Sequence, residues 1–208
     1  MKPLPLFVIT VLVILAVPIG LWANPFDHWE LEFDRDGIRV YTQLEGDNPY
    51  KQIKVTTTID APVSVVVQFL LAFNEYSHWM NLVDESYLLN QTDSNYYVFI
   101  LEDAAWPMQN RYQVSKMSVK QSVDNALIRF KSIPNFIEKR TDAIQIKQHE
   151  GYWELDNRND YQCTLEYVLI QNPGGHVPPW LANLNAVENP YQSVFKLKEL
   201  AEHSRIRP

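Results

Sequence analysis

At 208 residues the chain is long enough for one domain with a substantial core, and 46% hydrophobic with 12% aromatic residues excludes a disordered protein. A formal net charge of -7, from 25 acidic and 18 basic residues, opposes partners that need many phosphate contacts, so no nucleic acid is expected. With one cysteine, Cys163, and five histidines without metal-ligand spacing, the sequence offers no disulfide framework, no metal site and no cofactor site.

The first stretch, residues 1–23, is set apart from the rest. Lys2 precedes an apolar run from Leu6 to Ile19, and Ala23 places a small residue before Asn24, which reads as an export signal. The alternative is an uncleaved anchor, because residues 4–23 are 20 residues, enough for a bilayer core of about 30 Å. Either reading puts residues 24–208 outside the cytosol as one domain. There an unpaired Cys163 is best explained as a buried small hydrophobe.

Phe26 to Phe33 reads as a short amphipathic helical turn. Asp36-Gly37 then turns the chain into a strand with Ile38, Val40 and Tyr41, and a second strand follows with Ile53, Val55, Thr57 and Ile59. Ala61-Pro62 opens a helix from Val63 to Phe73, the proline outweighing the β-branched Val65, Val66 and Val67, and a second short helix runs from Asn74 to Met80. Six strands in hairpin succession come next: Ser86 to Asn90, Tyr96 to Glu102, Arg111 to Gln121, Ala126 to Ser132, Ala143 to Leu155, and Gln162 to Ile170. Gly174 and Gly175 then permit the positive φ of a reversal, and one long helix is expected from Pro178 to Ala201. The order is that of an α+β fold: a curved antiparallel sheet wrapped around a long C-terminal helix, which has no other surface to cover its apolar face.

This order, with local residues along almost the whole mature length, resembles the START (StAR-related lipid transfer) domain family of the helix-grip superfamily. The matching residues are Trp29 with Asp36-Gly37-Ile38-Arg39-Val40-Tyr41, Ala61-Pro62, Tyr76 and Trp79, Trp106-Pro107 with Asn110-Arg111, Gly151-Tyr152-Trp153, and Asn172-Pro173-Gly174-Gly175 running through Pro178-Pro179-Trp180-Leu181-Ala182-Asn183. The last is the most specific. The family's strand often continues Arg-Asp where this chain has Arg111-Tyr112, so an ion pair with that acid is not expected here.

The resemblance implies a hydrophobic cavity between sheet and helix that holds one lipid-like molecule without chemical change, gated by the terminal helix, with transient contact to a membrane. Its expected lining is Phe99, Glu102, Arg111, Gln113, Phe130, Trp153, Tyr167, Trp180, Leu184 and Val187, with Gly174 and Gly175 as hinge. Period-2 alternation points Arg111, Gln113, Ser115, Met117 and Val119 to one face, where Arg111 either pairs with a carboxylate such as Glu102 or grips a ligand head group; at a strand's first residue, solvent is the other setting. Glu102-Asp103 reads first as a turn, and the aromatic residues read equally as core. Two other functions fit the same fold: a cyclase- or aromatase-like enzyme using polar groups in the hollow, and an envelope interaction module whose hollow is filled.

Overall fold

The computed structural model describes residues 29–104, 108–184 and 186–204. The expected export segment, Phe26 and Trp106-Pro107 lie outside these residues. Where a helical turn was expected before Phe33, the chain from Glu30 onward is a strand, β1 (Glu30–Arg35), paired with β2 (Ile38–Gln43). The cause is the turn between them: Asp36 and Gly37 both take positive φ, 55° and 70°, a two-residue reversal whose twist suits a hairpin and commits the preceding residues to a ladder. Glu30, Glu32 and Asp34 keep this outermost strand charged, which discourages further pairing.

β3 (Gln52–Ile59) leads into α1 (Val63–Leu71). Val63, Val66, Val67 and Leu70 are buried at helical spacing, and the Pro62 carbonyl accepts the first amides, so packing settles what the valines leave ambiguous. A 3-10 turn (Phe73–Glu75) and α2 (Tyr76–Trp79) follow, with the Tyr76 and Trp79 rings edge to face at 5.3 Å.

The sheet runs β1-β2-β3-β10-β9-β7-β6-β5-β4, antiparallel along that path. Its later strands are β4 (Val83–Thr92), β5 (Asn95–Glu102), β6 (Arg111–Gln121), β7 (Asn125–Ser132), β9 (Gln148–Asn159) and β10 (Gln162–Asn172). The strand expected from Ala143 is interrupted: β8 (Ile144–Gln145) pairs parallel with the start of β6 before the chain joins β9. Alternation gives the sheet two buried faces. The inner one meets α1 and the terminal helix, with Val55, Ile128, Trp153 and Leu165 in its core. On the outer one, residues 133–143 cover a smaller cluster of Phe99, Leu101, Tyr112 and Val114.

The single helix expected from Pro178 is two, α3 (Pro179–Leu184) and α4 (Glu188–Ser204). Pro190 explains the break. It lacks an amide hydrogen and its ring would meet the carbonyl four residues earlier, so it suits only the first turn of a new helix. α4 buries Tyr191, Val194, Leu197 and Ala201 against the sheet, whereas α3 buries none of its residues.

Candidate functional site

Between the inner face of the sheet, α3 and the start of α4 lies a cavity of about 270 Å³. Its wall toward solvent is made by Met80 to Val83, Met108, Val177, Leu181, Ala182 and Ala186, and its inner side by Ile53, Tyr167 and Leu169. Glu102, Arg111, His149 and Gln171 also line it, one from each of β5, β6, β9 and β10. The lining is mostly apolar around a polar corner in which Arg111 is buried and Glu102, His149 and Gln171 are half-buried.

That corner is built by register. Glu102 and Arg111 are partners across β5 and β6, and His149 and Gln171 are partners across β9 and β10. Gln171 Nε2 donates to Glu102 Oε2 at 3.2 Å, and Gln113 Nε2 donates to Oε1 at 3.4 Å, so the carboxyl joins sheet segments far apart in the strand order. Burial raises the Glu102 pKa above the usual carboxylate range, against the opposing pull of the Gln171 amide and the Arg111 charge. Arg111 is 7% exposed; its Nη1 donates to the Gln109 carbonyl and its Nε has no partner. Burial pushes His149 down to about 4, which keeps it neutral, and its Nδ1 is likewise unpartnered.

Of the residues expected from the sequence, Glu102, Arg111 and Tyr167 line this cavity, and Gln113 sits beside them at 1% exposure. Glu102 does not belong to a turn: it ends β5 with its carboxyl inward, on the same alternation as Val98 and Ile100. Trp153 lies behind Tyr167, the two rings stacked at 3.5 Å and 4°, and Phe130 stacks on His149 at 4.8 Å; both support the lining rather than form it. Phe99 is on the opposite face of β5, in the outer cluster, because odd and even residues of a strand face opposite ways. Trp180 and Leu184 are 69% and 68% exposed and point away from the hollow, while Val187 packs on the edge of the core. Gly174 and Gly175 take φ of +69° and +66°, the left-handed backbone that glycine accommodates without a Cβ clash.

His149 and Gln171 were not singled out from the sequence, and Asn183 entered only as the end of the Pro-Gly-Gly motif. Asn183 accepts from the Lys51 amide at 3.0 Å and donates to the Pro49 carbonyl at 2.9 Å, fastening α3 to the loop between β2 and β3. α4 is held more firmly. Arg35 pairs with Glu188 at 3.0 Å, Tyr191 donates to Asp36, and the Asn81 amide and side chain bond Ser193 and Asn189 at 2.9 Å each. On the outer face a groove of about 380 Å³, lined by Arg39, Thr56, Thr58, Glu154 and Glu166 among others, is polar and offers no apolar enclosure.

No family model matches the chain. It is 27% identical over 192 residues to an uncharacterised protein of Pseudomonas aeruginosa, covering 91% of this chain and 95% of that one. It is 23% identical over 175 residues to the phosphatidylcholine transfer protein of Rattus norvegicus, covering 81% and 80%. Among solved structures, a STAR-related lipid transfer protein from Xanthomonas axonopodis superposes with a TM-score of 0.78 at 29% identity, over 84% of this chain and 99% of that one. Human STARD10 gives 0.75 at 18% identity over 83% and 72%, a likeness of fold. Strand order, the α4 grip across the inner face and these likenesses agree: the chain has the α+β helix-grip fold and is similar to the START-domain lipid transfer proteins.

Proposed function

We propose that the chain binds and carries one lipid-like hydrophobic molecule without chemically changing it. The observation that supports this most is the cavity itself, mostly apolar with a polar corner, the arrangement that holds an amphiphile by its chain while satisfying its head. Relatives named for lipid and phosphatidylcholine transfer support the same reading. Native mass spectrometry of the purified protein, followed by extraction, should show a co-purifying amphiphile of unchanged structure. A chemically modified product would move the assignment to an enzyme. The leading apolar segment supports a location outside the cytosol; the same intact-mass measurement should find the chain starting near Asn24, and full-length protein in the membrane pellet would replace the signal by an anchor.

The cavity's 270 Å³ falls just below the range of about 300–1,000 Å³ usual for small-molecule sites, so a two-chain lipid requires its cover to move. That moving part is α3 rather than α4, since α3 buries no residue and, among the described residues, is fastened to the rest of the fold through Asn183. Gly174 and Gly175 form the hinge at one end, and Pro190 interrupts the helix at the other. Asn183→Ala removes two hydrogen bonds worth about 1 kcal/mol each. Ligand release should then accelerate by up to roughly thirtyfold, with the unfolding midpoint lowered only slightly. An unchanged off-rate would return the gate to α4.

Residues 171–187 contain no Asp, Glu, Lys or Arg, in a chain that is 21% charged. With Trp180 and Leu184 exposed on α3, this segment is suited to touch a membrane as the cover opens. Because Trp180 is exposed, Trp180→Ala should change stability by no more than about 0.5 kcal/mol, while reducing co-sedimentation with neutral phosphatidylcholine vesicles. Retained co-sedimentation would remove α3 from the contact.

A further inference from the structure

The outer face of the sheet, turned away from the cavity, is divided by charge. Met117, Ile128, Trp153 and Leu165 hold inner positions of β6, β7, β9 and β10, so the residues alternating with them face outward. On β6 and β7 these include Lys116, Lys120, Arg129 and Lys131; on β9 and β10 they include Glu154, Asp156 and Glu166, with Arg158 beyond them at the hairpin end. Lys131 has its acid in Glu150 at 2.8 Å, but among the described residues Lys116, Lys120, Arg129, Glu154 and Asp156 form no ion pair. The cations flanking the acidic side are engaged elsewhere: Arg39 pairs with Asp34 at 3.1 Å, and Lys54 lies over the Trp29 and Tyr41 rings. Two like-charge pairs are also built into the ladders, Lys116 opposite Lys131 and Glu154 opposite Glu166. Like charges at such positions weaken a sheet, so neither stripe is there to stabilise its own strands.

The acidic side is recessed as well. The groove of about 380 Å³ is lined there by Thr56, Thr58, Glu154, Asp156, Thr164 and Glu166, a set of carboxylates and hydroxyls that accepts hydrogen bonds and suits the end of a lysine or arginine. A partner of one sign would match half of this face and be repelled by the other half. A second copy matches both. A two-fold axis running with the strands between β9 and β7 lays β10 over the second copy's β6 and β9 over its β7, and each contact then occurs twice. The six strands from β2 to β6, about 4.8 Å apart and paired over about six residues, offer on the order of 600 Å² from each copy. That reaches the lower end of specific interfaces, about 1,200 Å² in total.

We propose that this face is the interface of a two-fold symmetric homodimer, in which the basic stripe of each copy, Lys116, Lys120 and Arg129, meets the acidic stripe of the other, Glu154, Asp156 and Glu166. The cavity, α3 and α4 lie on the opposite face of the sheet and stay uncovered in both copies. The dimer therefore stands or falls independently of lipid binding.

Charge exchange between copies tests it. Sedimentation equilibrium of the purified protein should show a dimer with a dissociation constant of roughly micromolar order in about 20 mM NaCl, weakened about tenfold or more in about 500 mM NaCl, where salt screens exposed charges. Lys120→Glu/Arg129→Glu makes the face acidic throughout, and Glu154→Lys/Asp156→Lys makes it basic; all four positions are exposed, so both proteins should fold. Each variant alone should be monomeric at low salt, and an equimolar mixture should regain a dimer containing one copy of each. A wild type that stays monomeric at about 100 µM and low salt overturns the proposal. So does a dimer that either variant alone retains, which would use another surface, or a mixture that does not reassociate. If the wild type is monomeric and its binding to phosphatidylglycerol vesicles is lost in Lys120→Glu/Arg129→Glu, the basic stripe belongs to an anionic membrane and the dimer is overturned.

Discussion

Gly151→Val should abolish the folded state, and Gly151→Ala should cost more than about 4 kcal/mol. A Cβ built at Gly151 would lie 1.9 Å from the Val168 carbonyl oxygen, 2.8 Å from Phe130 Cζ and 2.9 Å from Leu169 Cα. Two of these are backbone atoms of β10, which cannot rotate away as a side-chain tip can. Gly151 is opposite Leu169 in one ladder and Phe130 in the other, so relief requires parting β9 from β10, the longest pairing of the sheet, or from β7. Either movement also disturbs His149 two residues away and the Phe130 ring stacked on it. Denaturant unfolding of the alanine variant is the measurement. A cooperative transition with a midpoint close to that of wild type would mean that β9 and β10 separate cheaply there, and that the close approach is not a structural requirement.

The fold was legible because its punctuation is local. Asp36-Gly37, Ala61-Pro62 and Asn172-Pro173-Gly174-Gly175 each fix a reversal or a helix start through φ alone, and alternation along β6 put Arg111 and Gln113 on the inner face. The misreadings have equally local causes. Phe26 to Phe33 carries apolar residues at a spacing that suits either a helix or an edge strand, and the ladder with β2 decides it from Glu30 onward. Trp180 and Leu184 do share one side of α3, but an apolar stripe does not reveal whether the protein or a surface outside it does the covering. Phe99 was misassigned because residues 133–143 give β5 a second buried face, and burial on both faces erases the alternation that would have marked the inner one. His149 and Gln171 left no signal in the sequence, and Asn183 left only its place at the end of the Pro-Gly-Gly motif. Their roles come from partners that only the closed sheet brings near: Glu102 is 69 positions from Gln171, and Asn183 is 132 from Lys51.

Arg111→Leu should destabilise the protein by about 1–3 kcal/mol at neutral pH, because it removes a charge-assisted bond to the Gln109 carbonyl and the positive charge that acts on Glu102. The loss should depend on pH in a defined direction. Burial already raises the Glu102 pKa above its unfolded value, and Arg111 is one of the influences that pull it back down. Removing Arg111 raises it further. An acid with a raised folded pKa holds a proton that the unfolded chain has released. Stability is therefore greatest below the unfolded value, about 4.3, and falls as pH rises from there through the folded pKa. In the variant that decline should extend to higher pH than in wild type, so the two proteins differ least near pH 4 and most near neutrality. Adding Glu102→Gln removes the titrating group and should restore most of the stability while abolishing the extra pH dependence. Urea unfolding of the wild type, both single variants and the double variant across this range makes the comparison. If Arg111→Leu is equally destabilised at every pH, the loss is one of packing and of the bond to Gln109, and Glu102 and Arg111 do not act as a charge pair.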